Sequence, residues 1–177
     1  MIKLLLNECD ILLLQETLLC DHSLDVFQSL HDEFSYYAVS AVRSENVFVG
    51  KSSGGLCVLY RKSFANYIKP FYCTSRIMGI SLQNVDFSLL LLNVYLPCDY
   101  KNDDSFIAYQ SALTDIDNIC TDLAFDKIII AGDMNCDPNK GRFFRIFNNV
   151  MQDLSLSVVD VDRFGNTDAD DEFDRVR

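Results

Sequence analysis

Short apolar runs, polar turns and longer amphipathic stretches alternate along this chain of 177 residues. Met1 to Cys9 reads as the last turns of a helix, an apolar patch with no capping residue ahead of it. Asp10 to Gln15 (DILLLQ) is a short continuous apolar run, the pattern of a central strand covered on both faces. His22 to Phe34 is amphipathic and helix-like. Ser35 to Val42, rich in Tyr and Val, predicts a strand, and Arg43 to Ser53 a polar loop. Gly54-Gly55 leads into the strand LCVLYR, and Arg76 to Leu82 (RIMGISL) forms another. Asn84-Val85-Asp86 turns the chain before FSLLLLNVYLP. That strand ends near Pro97, because proline cannot donate to a sheet ladder. From Ser105 onward Phe106, Tyr109, Leu113, Ile116, Cys120 and Leu123 recur at spacings of 3 and 4, which predicts a helix with one apolar face. Lys127 to Ala131 (KIIIA) predicts a short buried strand stopping at Gly132. Gly141 to Met151 predicts a helix, and Val158 to Val161 a last strand.

Strands with intervening helices, no repeat and no interdomain linker place the chain in the α/β (α+β) class. The expected architecture is a layered α/β sandwich of two packed mixed sheets flanked by helices. Composition agrees with a folded core: 49% of residues are hydrophobic and 23% charged. The length suits one domain. Charge narrows the function. A formal net charge of -11 argues against a surface that is throughout a nucleic-acid-binding field, and against a cationic membrane-surface binder. Seven acids and three bases fall between Asp160 and Arg177, so the first 159 residues carry the remaining -7.

Seven cysteines, an odd number without a C-x-x-C pair, predict a reduced intracellular protein of cytoplasm or nucleus, not a secreted one. Several sit in apolar runs, where cysteine behaves as a small hydrophobe. Two histidines argue against a zinc site. Asn7, Glu8 and Asp10 interrupt the apolar opening before a signal-peptide core forms. No run approaches the roughly 18 apolar residues of a membrane span, so no membrane partner is expected.

Three segments put polar residues at the ends of strongly apolar strands: QET (Gln15 to Thr17), NVYLP (Asn93 to Pro97) and GDMN (Gly132 to Asn135). Singly, each has an ordinary reading. An acid closing a strand, such as Glu16, is usually just solvated, Tyr95 alone is a half-buried strand aromatic, and GDMN alone is a turn. Asp133 and Asn135, two apart, point to the same side of extended backbone.

In this order, LLLQET, GGLCVLYRK, NVYLP and IIIAGDMN resemble the endonuclease/exonuclease/phosphatase superfamily of metal-dependent phosphodiesterases. NVYLPCDY followed by a helix, IIIAGDMNCDP and then KGRFF are most similar to the endonuclease domain of non-long-terminal-repeat retrotransposons, whose intact members nick DNA to prime reverse transcription. The resemblance spans residues 1 to about 167, read as a partial domain, with 168–177 as an acidic polar tail. It implies Glu16 as ligand of Mg²⁺ or Mn²⁺, Asp133 as the group that orients or deprotonates the attacking water, and Asn135 as an amide holding the phosphate. Tyr95 would donate to the phosphate or the leaving group. Arg61, Lys62 and Arg142 are candidate contacts to the nucleic-acid backbone, with Lys51, Lys140 and Arg145 as further cations of a local basic groove.

Two departures from the family pattern temper this expectation. The family opens with a strand ending in a metal-holding asparagine and closes with a histidine paired with an acid. Neither is matched between Met1 and Arg177, and His22 and His31 read as a solvated helix face. The chain is accordingly expected to be incomplete at both termini, weak or inactive as a nuclease, and a weak DNA binder. A phosphatase or phosphodiesterase acting on lipid or small-molecule phosphates, and a non-catalytic remnant serving as an interaction domain, stand as alternatives. Nothing in the pattern fixes the oligomeric state.

Overall fold

A computed structural model of the chain describes residues 2–41, 54–137 and 141–159. They divide into two compact units, Met1–Asn135 and Cys136–Arg177. In the first unit, β1 (Ile11–Leu14), β2 (Phe34–Val39) and β3 (Leu56–Arg61) form a three-stranded sheet in the order β1-β3-β2. The strands β4 (Ile68–Cys73), β5 (Ile77–Gln83), β6 (Ser88–Tyr95) and β7 (Lys127–Asp133) form a four-stranded sheet in sequential order. A short helix α1 (Ile2–Leu5) precedes β1, a 3-10 helix (Asp21–Ser29) precedes β2, and α2 (Asp103–Asp122) carries the chain from β6 to β7. The second unit contains α3 (Arg142–Asp153), one face of which bears the buried Phe143, Phe147 and Met151.

The α/β sandwich is present, with alternation along each strand deciding which layer each side chain joins. Leu56, Val58 and Tyr60 of β3 pack with Met78, Ile80 and Leu82 of β5 and with Leu91 and Tyr95 of β6 to form the layer between the sheets. Their neighbours Cys57 and Leu59 point the other way, toward Leu6, Phe27 and Phe34. Each leucine buried this way stabilises the fold by about 1.5–3 kcal/mol.

The same alternation accounts for DILLLQ. Ile11 and Leu13 join the inter-sheet layer, while Leu12 and Leu14 join the outer cluster with Leu6 and Phe27. Both faces are covered, as the apolar run implies, yet β1 is not central. Among the described residues it pairs with β3 alone and β3 is the middle strand. A continuous apolar run reports two covered faces and says nothing about two paired edges. KIIIA differs similarly. It extends through Gly132 to Asp133, and among the described residues it lies at the sheet edge with Ile129 about half exposed.

Only the four-stranded sheet is mixed. Its first three strands are antiparallel and β6 and β7 are parallel, whereas the three-stranded sheet is antiparallel throughout. Parallel pairing requires a crossover, and α2 supplies it. That helix begins two residues before Ser105, because the Asn102 side chain accepts from the Ser105 N–H at 2.8 Å and caps the first turn. Its buried face carries Tyr109, Ala112, Leu113, Ile116, Ile119 and Cys120.

The sequence pattern does not reveal β4. Pro70 interrupts the run IKPFYC, and such a strand survives at the outer edge of the sheet with a register slip between Pro70 and Tyr72. The expected helix from His22 to Phe34 is shorter and of 3-10 type, with the Ser29 hydroxyl turned back onto the Val26 carbonyl. Val158 and Val159 are not in a strand, and the rest of that expected strand lies outside the described residues. Arg43 to Ser53 lies outside them as well.

Buried thiols tie this core to alkaline pH. Burial pushes Cys57 from its ordinary 9.0 up to about 12, and burial together with nearby Asp117 pushes Cys120 to about 11. The folded chain keeps these protons where the unfolded chain has lost them. Their contribution is therefore complete below pH 9 and disappears as pH rises through the folded values, at up to about 1.4 kcal/mol per pH unit per group. Urea-unfolding stability is expected to fall between pH 9 and pH 11, with a shallower slope in Cys57→Ala than in the wild type. Equal slopes would refute the assignment.

Candidate active site

The ends of β1, β6 and β7 converge at one side of the sandwich. Beyond Leu14, the last residue of β1, the chain passes through Gln15 and Glu16, and Glu16 adopts φ 49°. The Thr17 and Leu18 N–H groups then donate to the carbonyls of Gly55 and Gly54 at 3.1 and 3.3 Å. The paired glycines serve this approach. Both have positive φ, and a Cβ on Gly55 would lie 2.6 Å from the Thr17 hydroxyl oxygen.

Tyr95 ends β6 and is buried, 6% exposed. Its hydroxyl crosses between the sheets to donate to Glu16 Oε1 at 2.5 Å. Burial pushes the phenol well above its ordinary range. The hydrogen bond to Glu16, the nearby Cys98 and the carboxylate charge push the same way, and Arg76 opposes them. Tyr95 is therefore a standing proton donor toward Glu16.

Asp133 stands beside Tyr95 on the neighbouring parallel strand, in direct register. Register partners on adjacent strands project to the same face, roughly 5 Å apart. The backbone reinforces the pairing, since the Leu96 N–H donates to the Asp133 carbonyl at 2.9 Å. Gly132 allows it: its φ is 140°, and an added Cβ would overlap the Val94 carbonyl oxygen. The Asp133 carboxylate accepts from the Asn135 N–H at 2.9 Å. Asn135, at φ 47°, donates from Nδ2 to the Leu96 carbonyl at 2.8 Å and accepts from the Cys98 thiol at 3.2 Å. The amide is thus held on both sides.

Glu16, Tyr95, Asp133 and Asn135 are brought together. Arg61 and Lys62 are not. β1 and β3 are antiparallel, so Arg61 lies at the end of the sheet opposite Glu16, bonded to Asp10 at 2.9 Å and Glu33 at 3.0 Å and stacked over Phe34. Lys62 donates to the Asp32 carbonyl there. Both cations fasten strand ends. Arg142 and Arg145 belong to α3 in the second unit, Arg142 lying over the Phe143 ring, while Lys51 and Lys140 are outside the described residues. His31 packs edge-on against Phe34, at the Arg61 end of the sheet, and His22 lies exposed at the start of the 3-10 helix.

The cation at the site is Arg76, which no motif marks. Its guanidinium lies 5.2 Å from the Tyr95 ring centroid and donates to the Tyr95 carbonyl at 3.3 Å. Among the described residues no carboxylate pairs with it. Only the β5–β6 register, in which Ile77 faces Val94, sets Arg76 opposite Tyr95, and the sequence does not display that register.

The chain belongs to the endonuclease/exonuclease/phosphatase family. The family model matches residues 2–168. No curated protein matches the chain by sequence. Among solved structures, it is similar to the AP endonuclease LMAP from Leishmania major, at 16% identity over 84% of this chain and 58% of that one, with a TM-score of 0.58. The endonuclease domain of TRAS1, a telomere-specific non-LTR retrotransposon, is 13% identical over 86% of this chain and 62% of its own, with a TM-score of 0.57. The 3′ phosphatase NExo from Neisseria, bound to a product DNA hairpin, is 16% identical over 86% and 64%, with a TM-score of 0.61. The chain spans about three fifths of the length of these structures. At these identities they establish the fold.

The donor set at this end is made of carboxylate oxygens. Among the described residues no group of three or more His, Cys, Asp and Glu side chains is gathered to enclose an ion. An exposed carboxylate at Glu16 with Asp133 nearby suits a hard cation of the Mg²⁺ or Mn²⁺ type, which takes one or two carboxylates and keeps its waters.

Gly132→Ala is expected to lower stability by at least about 3 kcal/mol, from the φ strain together with the overlap at Val94. A urea midpoint unchanged from the wild type would contradict the geometry.

Proposed function

We propose that this end of the sandwich is a phosphodiester-hydrolysing site of the endonuclease type, acting on DNA with Mg²⁺ or Mn²⁺ held at Glu16. One observation carries the reading: Tyr95 is hydrogen-bonded to Glu16 across the sheets and in register with Asp133 on its own sheet. It links a cation-holding carboxylate to a second carboxylate free to act on water. The bound cation would neutralise phosphate charge and polarise the phosphorus toward attack.

The chain's own residues supply the rest. Asp133 orients the attacking water and accepts its proton at the carboxylate as the ester P–O bond breaks, and the departing oxygen takes its proton from solvent at this exposed edge. Asn135, fixed through Leu96 and Cys98, offers a remaining amide N–H to a non-bridging phosphate oxygen. Tyr95 holds Glu16 in place, its proton committed to that bond. Arg76, exposed enough to present its outer N–H groups, contributes positive charge beside them.

The likeness to the TRAS1 domain supports assigning the reaction to a retroelement endonuclease, and the DNA-bound NExo supports DNA as the phosphate carrier. Among the described residues no histidine is hydrogen-bonded to Glu16, Tyr95, Asp133 or Asn135, so hydrolysis by these residues alone is expected to be slow.

The purified chain is expected to nick supercoiled plasmid slowly in Mg²⁺ or Mn²⁺. Asp133→Asn should reduce that nicking at least about 100-fold and Arg76→Ala about 10-fold. Nicking indifferent to Asp133→Asn, or the absence of any nicking under single-turnover conditions, would overturn the activity. Turnover of a lipid or small-molecule phosphate in preference to DNA would shift the assignment to the phosphatase branch.

A further inference from the structure

Glu16 reaches its place from a backbone conformation that non-glycine residues rarely adopt, and Leu18 shares it at φ 55°. Such conformations persist where the surroundings over-determine them. The local cause is a slip in register. Leu14 stands opposite Cys57, but Thr17 and Leu18 donate to Gly55 and Gly54, so the β1 side carries one residue more than the β3 side. A bulge of this kind re-aims a side chain. Gln15 and Glu16 occupy it.

The facing sheet grips both residues. Asn93 is fully buried, 0% exposed, on the same face of β6 as Leu91 and Tyr95. An amide in such a layer is unfavourable unless its hydrogen bonds are made. Its Nδ2 donates to the Leu14 and Cys57 carbonyls, each at 3.1 Å, and its Oδ1 accepts from Gln15 Nε2 at 2.6 Å. Two of these bonds fall on the last rung of the β1–β3 ladder, Leu14 opposite Cys57, and the third on Gln15, the first residue of the bulge. Two residues further along β6, Tyr95 takes Glu16. Gln15 and Glu16 are thus held by Asn93 and Tyr95 as two successive inter-sheet rungs.

We propose that Gln15 and Asn93 are positioning residues for Glu16, an amide clamp that fixes the bulge and so sets the carboxylate for its divalent cation. The proposal rests on the reading of Glu16 as the cation-holding residue. Groups that orient a metal ligand without touching the metal typically change its affinity 10- to 100-fold. A clamp that merely stabilised the core would lower the melting temperature and leave the affinity of the folded protein unchanged.

The test is Mn²⁺ binding to the full chain, followed by the electron paramagnetic resonance signal of the free ion, well below each variant's melting temperature. Gln15 is only half-buried, so Gln15→Met is expected to keep the native circular dichroism spectrum. It should weaken Mn²⁺ binding about tenfold, and Asn93→Leu should do the same where it folds. The double variant should be no weaker than Asn93→Leu alone, because each change breaks the same bond. Folded Gln15→Met that binds Mn²⁺ like the wild type overturns the clamp. Glu16→Gln separates the two layers of the argument. If it leaves Mn²⁺ affinity unchanged, the reading of Glu16 fails and the clamp with it; if it abolishes binding while Gln15→Met keeps the wild-type affinity, the clamp alone fails.

Discussion

The arrangement depends on polar contacts made across an apolar interface. Leu56, Val58, Met78, Ile80 and Leu91 bring the two sheets together without fixing how one slides over the other, since apolar packing is weakly directional. Asn93 and Tyr95 supply direction. Each inserts a polar group into the layer at the edge where β1 gives way to its bulge, and each finds its partner there. A shift of one residue would leave a buried amide and a buried phenol without partners, at a cost of about 1–3 kcal/mol for each unsatisfied group. Sheet register and site geometry are consequently one constraint.

Glycine sets the other limit on this edge. Gly55 lets β3 approach the QET segment, and Gly132 lets β7 run alongside β6 far enough to bring Asp133 level with Tyr95. Both positions combine positive φ with space for no Cβ, so they are fixed by neighbouring backbone more than by any ligand. The Glu16 and Asp133 carboxylates are therefore positioned by residues that have no side chain to offer.

Much of this was legible in the sequence, for identifiable reasons. The strands β1, β3, β5, β6 and β7 announce themselves as apolar runs because both faces are covered, and each candidate acid sits where such a run stops. Glu16, Tyr95, Asp133 and Asn135 could be picked out on that ground together with their motifs. What remained hidden depends on pairing. Pro70 conceals β4, whose place at an edge tolerates the missing donor. Arg76 carries no local signal, because its importance comes from lying opposite Tyr95 on the next strand. Arg61 misled for the complementary reason: it follows a strand in a recognisable motif, but antiparallel pairing sends that end of β3 away from Glu16. Its partners Asp10 and Glu33 come from two other strand ends, and only the folded sheet gathers them.

Charge then takes a different meaning from the one suggested by a total of -11. Among the candidates, Arg61 and Lys62 are spent on closing the far end of the three-stranded sheet, so they add nothing to a phosphate-binding field near Glu16. Beside Tyr95 the described cation is Arg76, lying over its ring and donating to its carbonyl. One guanidinium can engage one phosphate in a directed, two-pronged way, but it cannot hold a long stretch of backbone. On the proposed function, attraction for a polyanion at this edge comes chiefly from the divalent cation assigned to Glu16. The acidic surface and the proposed carboxylate site are in this respect consistent: under that proposal both leave phosphate recognition to short-range geometry, at an edge where the bulge and the Gln15, Asn93 and Tyr95 hydrogen bonds fix the side chains.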